Sequence, residues 1–119
     1  MGKGMVRQLL KSKIHRAICT MADPDYEGSI EIPSDLMEQV GLWEGEKVLV
    51  TSATAGGRLE TYVQPGPAGK GRLIINGGAA HVIKEGERVT IMAFCHSEEP
   101  VEAKKIVCNE KNEIIRKSF

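Results

Sequence analysis

The pair Gly28-Ser29, set in the run Tyr26-Glu27-Gly28-Ser29, carries the residue types with which a backbone can cut itself. A serine hydroxyl attacks the carbonyl of the residue before it and turns the amide into an ester, provided the backbone is held in an uncommon conformation. Glycine at position 28 permits such φ values and puts no Cβ in the path of the oxygen. Elimination across the ester leaves dehydroalanine at position 29, and its hydrolysis gives a pyruvoyl group, a carbonyl cofactor made from the chain. The same residues also make a plain turn into a strand, with Pro24 presetting φ and Gly28 relaxing it. Alone, the four residues fit the turn.

Other reactive types fall into small groups. Lys13 and His15 share one face of an alternating segment in which Ile14, Arg16 and Ile18 form the other face with period two. Such a Lys and His also suit a solvated strand face. Period two likewise puts Arg58 and Tyr62 on one face of a strand and Leu59, Thr61 and Val63 on the other. A guanidinium and a phenol so placed can bind and protonate an acidic substrate, or simply pack across strands. In Asn76-Gly77-Gly78-Ala79-Ala80-His81 the small residues let a ligand approach, and successive free N–H groups can hold a carboxylate. This is not a phosphate loop, since neither G-x-G-x-x-G nor a Gly-Lys-Ser/Thr ending is present. His81 has no second ligand at metal spacing and reads as structural.

The elements that must position these residues are short. Ile30 and Ile32 alternate up to Pro33, Ser34 opens a short helix with Leu36, Met37 and Val40 on one face, and Gly41 closes it. Strands are expected over 47–52, 58–63, 73–75 and 89–94, with a terminal hairpin of 104–109 and 113–117. Met1 to Gly4 reads as a short leader. Short strands joined by turns indicate a closed barrel, which removes sheet edges.

The chain has 119 residues, the length of a single domain with one core. Lys plus Arg and Asp plus Glu number 16 each, so no net field draws in nucleic acid or an anionic membrane. Neutral chains tend to associate. No apolar run spans a bilayer and no signal-peptide pattern is present, so a cytoplasmic location is expected. Three cysteines without a C-x-x-C pair fit neither a disulfide framework nor a zinc site.

Taken in order, Lys13-Ile14-His15-Arg16, Asp23, Tyr26-Glu27-Gly28-Ser29, Gly57-Arg58 with Thr61-Tyr62, and Asn76 to His81 resemble the pyruvoyl-dependent aspartate 1-decarboxylases of pantothenate synthesis. The likeness runs from Met5 to about Phe94, and more loosely through the terminal hairpin. It implies a mainly β fold, a six-stranded double-psi β-barrel with short helices, assembled as a homotetramer with active sites between subunits. It implies self-cleavage into a β chain, 1–28, and an α chain, 29–119, that begins with the pyruvoyl group from Ser29. L-Aspartate would form a Schiff base with that group and lose CO2 to give β-alanine, with no metal and no pyridoxal phosphate.

By the same resemblance Tyr62 is the proton donor, Thr61 assists cleavage and lines the site, and Gly77, Gly78 and Ala79 contact substrate. Lys13 and Arg58 match the carboxylate-binding pair, and His15, Tyr26 and Asn76 match site-lining residues. Arg58 offers a planar fork and Lys13 a movable point charge. Asp25 stands where His or Asn is usual, and Gly78 where Ala is usual. Maturation is either spontaneous or assisted by a helper protein.

Two other readings stand beside this one. Ile30 to Gly41 followed by Gly45-Glu46-Lys47-Val48 also resembles the swapped-hairpin barrels of DNA-binding regulators, which the zero net charge and the chain length oppose. An uncleaved barrel that has become a scaffold would keep the same residues.

Overall fold

The computed structural model describes residues 4–119, so most of the leader expected at Met1 to Gly4 lies outside the described residues. Among the described residues nine strands form, with one α-helix and one short 3-10 helix. In chain order they are β1 (Arg7–Ile18), β2 (Met21–Asp23), β3 (Ser29–Pro33), α1 (Ser34–Val40), β4 (Lys47–Ser52), β5 (Arg58–Gly66), β6 (Ile74–Asn76), the 3-10 helix (Gly77–His81), β7 (Arg88–Ser97), β8 (Lys104–Cys108) and β9 (Ile114–Lys117). The count exceeds the expected six, and two of the strands, β2 and β6, are only three residues long.

The hydrogen-bonded order is β2-β6-β3-β5-β4-β7-β1-β8-β9. Two strands hold equivalent places in it. β1 lies between antiparallel β7 and parallel β8, and β3 lies between antiparallel β6 and parallel β5. Hydrogen bonds do not close the circuit, since β2 and β9 end the order. The centre is filled by side chains instead, among them Ile14, Ile30, Ile32, Val50, Ile75 and Ile91, all at 1% exposure or less.

Expectation and structure part at β1. Ile14 pairs with Ile91 and Ala17 with Val89, so β1 carries one residue more than β7 across that interval. The extra residue is a β-bulge, and Arg16 within it has φ +65°. A bulge shifts the alternation by one, so Ala17 and Cys19 join Ile14 in the core while Arg16 is exposed. Strict alternation had put Arg16 with Ile14. The bulge keeps a guanidinium out of an apolar interior, and Arg88 Nη1 donates to the Arg16 carbonyl at 3.2 Å.

A second bulge leaves Lys11 without a partner on β7. Its ammonium reaches the end of α1, donating to the Gly41 carbonyl and to Ser12 Oγ at 2.9 Å each and pairing with Glu46 at 3.0 Å. The helix buries Leu36, Met37 and Val40 as expected and ends at Gly41 in the left-handed conformation. Its N-cap position is Pro33, not Ser34, and no side chain caps it there.

Candidate active site

β3 begins at Ser29, beside the end of β6. The antiparallel register pairs Ser29 with Asn76, and Asn76 Nδ2 donates to Ser29 Oγ at 3.3 Å. Both residues are buried, Ser29 to 3% exposure. The Ser29 hydroxyl makes no other hydrogen bond among the described residues, so its proton stays uncommitted. A nucleophilic oxygen is thus oriented by a neutral donor and shielded from water.

After Asn76 the chain turns sharply at Gly77, whose φ is +77°. A Cβ there would lie 2.6 Å from the Gly28 Cα and 2.8 Å from its nitrogen, so only glycine allows this approach. Gly28 itself does not have positive φ, and apart from its chain neighbours a Cβ built on it meets nothing within 4 Å. The conformation closed to other residues is at Gly77, which packs on the Gly28-Ser29 junction from across the sheet.

Tyr26 belongs to the same corner through its carbonyl, 3.2 Å from that Gly77 Cβ position, while its ring is exposed. Gly78 has open space around it. Ala79 is partly buried, and its carbonyl accepts from the nitrogens of Val82 and Ile83 at 3.0 Å each.

β5 runs parallel to β3 with Ile30 opposite Val63, which brings Tyr62 to the same end of the pair as Ser29. Tyr62 and Arg58 lie on the exposed face of β5, and Thr61 is partly buried between them in sequence, as period two requires. Thr61 and Tyr62 line a shallow cavity of about 270 Å³ with Lys47 and Glu60. Arg58 stands four residues before Tyr62, about 13 Å along an extended strand.

Lys13 and His15 lie elsewhere. They line a cavity of about 320 Å³ between β1, β8 and β9. In the strand order, β5, β4 and β7 separate β1 from β3. One chain therefore gathers Tyr26, Gly28, Ser29, Asn76 and Gly77 tightly, sets Thr61 and Tyr62 alongside, and holds Lys13 and His15 apart. Lys105 and Arg116, which share the second cavity, were missed from sequence. They come near Lys13 and His15 only through parallel pairing of segments some ninety residues apart, for which the sequence carries no local signal.

His15 Nδ1 lies 3.1 Å from Thr90 Oγ1. Burial first, and then the charges of Lys13, Arg16, Arg116 and Arg88, push its pKa below the usual 6.5. Among the described residues no three His, Cys, Asp or Glu side chains gather as a metal site would need.

The sequence matches the family model described as aspartate decarboxylase over residues 5–115. The chain belongs to the aspartate decarboxylase family. A member from Thermotoga petrophila, aspartate 1-decarboxylase, is 50% identical over 112 residues, covering 94% of this chain and 98% of that protein. Another from Myxococcus xanthus is 52% identical over 95 residues, covering 80% and 73%. Every site residue placed in this subsection lies inside the 5–115 family match except Arg116. The fold is that of a double-psi β-barrel: a rationally designed barrel of that type superposes with a TM-score of 0.51 at 17% identity, over 79% of this chain and 95% of the design. The fold expected from the family resemblance is therefore present.

Proposed function

We propose that this protein decarboxylates L-aspartate to β-alanine and CO2, for pantothenate and coenzyme A synthesis, after cutting its own Gly28-Ser29 bond. The observation that carries this reading is the Ser29 corner itself, in a chain of this family. The hydroxyl is buried, accepts from Asn76 Nδ2 and makes no other hydrogen bond among the described residues, and Gly77 packs against Gly28 just before it. Cleavage there gives chains of residues 1–28 and 29–119.

A pyruvoyl group made from Ser29 would supply an electron sink for the pair left when CO2 departs. The chain's own residues do the remaining tasks. Thr61 donates to the oxyanion formed as Ser29 attacks, and preorganised donors of this kind account for much of acyl-transfer catalysis. Tyr62 lies at the level of Ser29 along β5, and its phenol delivers a proton to the carbon that has lost CO2. Arg58 binds one substrate carboxylate as a fork and Lys13 binds the other as a point charge. His15, Tyr26, Asn76, Gly77, Gly78 and Ala79 shape the site.

Lys13 and His15 line a different cavity from Thr61 and Tyr62, so a site that uses all four calls for a second copy to complete it. That separation supports a homotetramer with sites shared between subunits. The experiment is a denaturing intact-mass spectrum of fresh protein, repeated after warm incubation and in a cell extract. The reading expects two fragments divided between Gly28 and Ser29, the larger with an N-terminal pyruvoyl mass, and β-alanine formed from aspartate. Cleavage only in extract identifies a maturation factor. A single uncut mass in every condition makes the chain a scaffold.

A further inference from the structure

Between Ile14, which pairs with Ile91, and Ala17, which pairs with Val89, two residues of β1 stand against one of β7. The two are His15 and Arg16, and the one is Thr90. Arg16 takes the strained half of this bulge, with φ +65° and an exposed side chain. His15 takes the half that faces Thr90, and its Nδ1 lies 3.1 Å from Thr90 Oγ1. Bulges beside active sites commonly re-aim one side chain in this way.

Thr90 is a stiff partner. β7 lies inside the sheet, bonded to β1 on one side and β4 on the other, and a β-branched side chain on such a strand has few χ1 states. Thr90 also pairs with Thr51 of β4, which pairs with Arg58 of β5. One transverse row therefore runs from His15 through two threonines to Arg58. Among the described residues the Thr90 hydroxyl has no hydrogen-bond partner other than His15, so its single proton is available to that ring.

A neutral imidazole has one donor nitrogen and one acceptor. Burial, and then the charges of Lys13, Arg16, Arg116 and Arg88, disfavour the doubly protonated ring. With Nδ1 taken by Thr90, Nε2 is the nitrogen left for the cavity that His15 shares with Lys13. An ionised carboxylate only accepts hydrogen bonds, so a ring that meets aspartate there needs its proton on Nε2. The bond made by the other nitrogen decides this. We propose that Thr90 is a positioning residue: its hydroxyl donates to His15 Nδ1, holds the ring in the bulge and presents Nε2–H to an anionic substrate. The choice of tautomer rests on the aspartate reading.

The test follows the ring nitrogens by NMR of protein with labelled histidine, at a pH well above the imidazole midpoint, with His15 assigned by the loss of its signals in His15→Ala. KM and kcat for aspartate are measured in parallel. Wild type should show a ring protonated at Nε2 alone. Thr90→Val keeps the shape and removes the hydroxyl. It should draw the two nitrogen signals together, as a ring exchanging between tautomers does, and raise KM about fivefold, the effect of losing one ordinary hydrogen bond. Loss of an interaction made equally with the bound substrate and the transition state leaves kcat within twofold. Thr90→Ser should restore both readouts, and in a His15→Ala background Thr90→Val should change KM no further. A wild-type ring protonated at Nδ1, signals or KM unmoved by Thr90→Val, or a KM effect that persists without His15 would overturn the proposal. The expected tautomers in a protein that forms no β-alanine would keep the hold of Thr90 on His15 and remove the aspartate reading.

Discussion

Gly77 rests on Gly28, so close that a methyl group on one would lie 2.6 Å from the Cα of the other. The contact joins the end of β6 to the residue before Ser29, beside the bond proposed to be cut. Gly77→Ala adds that clash to a left-handed φ of +77°, a combination costing on the order of 2 kcal/mol or more. We expect it to mature at least tenfold more slowly by intact mass. Gly78→Ala is the control. Gly78 has open space around it and no positive φ, so alanine there should mature normally and gain roughly 0.5 kcal/mol. Equal maturation of the two variants would show that the Gly77 contact is irrelevant.

Thr61 and Tyr62 are adjacent on β5 but face differently, one partly buried and one exposed. Their roles should separate accordingly. Thr61→Val should slow cleavage by roughly a hundredfold, the usual effect of losing one oxyanion donor, while thermal stability barely moves. Tyr62→Phe should cleave normally and then turn over at least a hundredfold more slowly. Fragment mass followed over time, with β-alanine assayed on the matured fraction, distinguishes the two. Normal turnover in Tyr62→Phe would end its assignment as proton donor.

His15 faces Lys13 and Arg16 of its own strand, Arg88 and Thr90 of β7, and Arg116 of β9. Burial and these cations hold its folded pKa below 6.5. Between that lower value and 6.5 the unfolded chain binds more protons than the folded one. The contribution of His15 to stability is then complete above about pH 6.5 and is lost as pH falls through the folded value. Proton NMR of the imidazole should give a midpoint below 6.5. A free-protein midpoint at or above 6.5 would contradict the geometry.

Asn112 ties the terminal hairpin to β1. Its Oδ1 accepts from the Ile18 nitrogen at 2.7 Å, and its Nδ2 donates to the carbonyls of Ile18 and Gly71 at 3.0 and 2.8 Å. The residue is buried and has φ +58°. Asn112→Gly keeps the backbone conformation and removes three hydrogen bonds, which should cost about 2–3 kcal/mol. Asn112→Ala adds about 1 kcal/mol for a left-handed alanine. Urea unfolding midpoints in that order would confirm both parts, and identical midpoints for the two variants would remove the backbone part.

Much of this protein was legible in the chain because it is local. The burial of Leu36, Met37 and Val40, the stop at Gly41, and the opposite faces of Arg58 with Tyr62 and of Thr61 with Val63 follow from the 3.6 and 2.0 periods of covalent geometry. The residues expected to react also stand in the order that identifies the family. Tertiary structure alone decided the rest. A bulge answering to β7 moved Arg16 out and Ala17 in. The left-handed turn that matters fell at Gly77 and not at Gly28, because β6 must reverse against the start of β3. Parallel pairing set Lys13 beside Lys105. Each of these depends on which distant strand lies alongside, and that is settled by packing of the whole core, which no window of neighbouring residues contains.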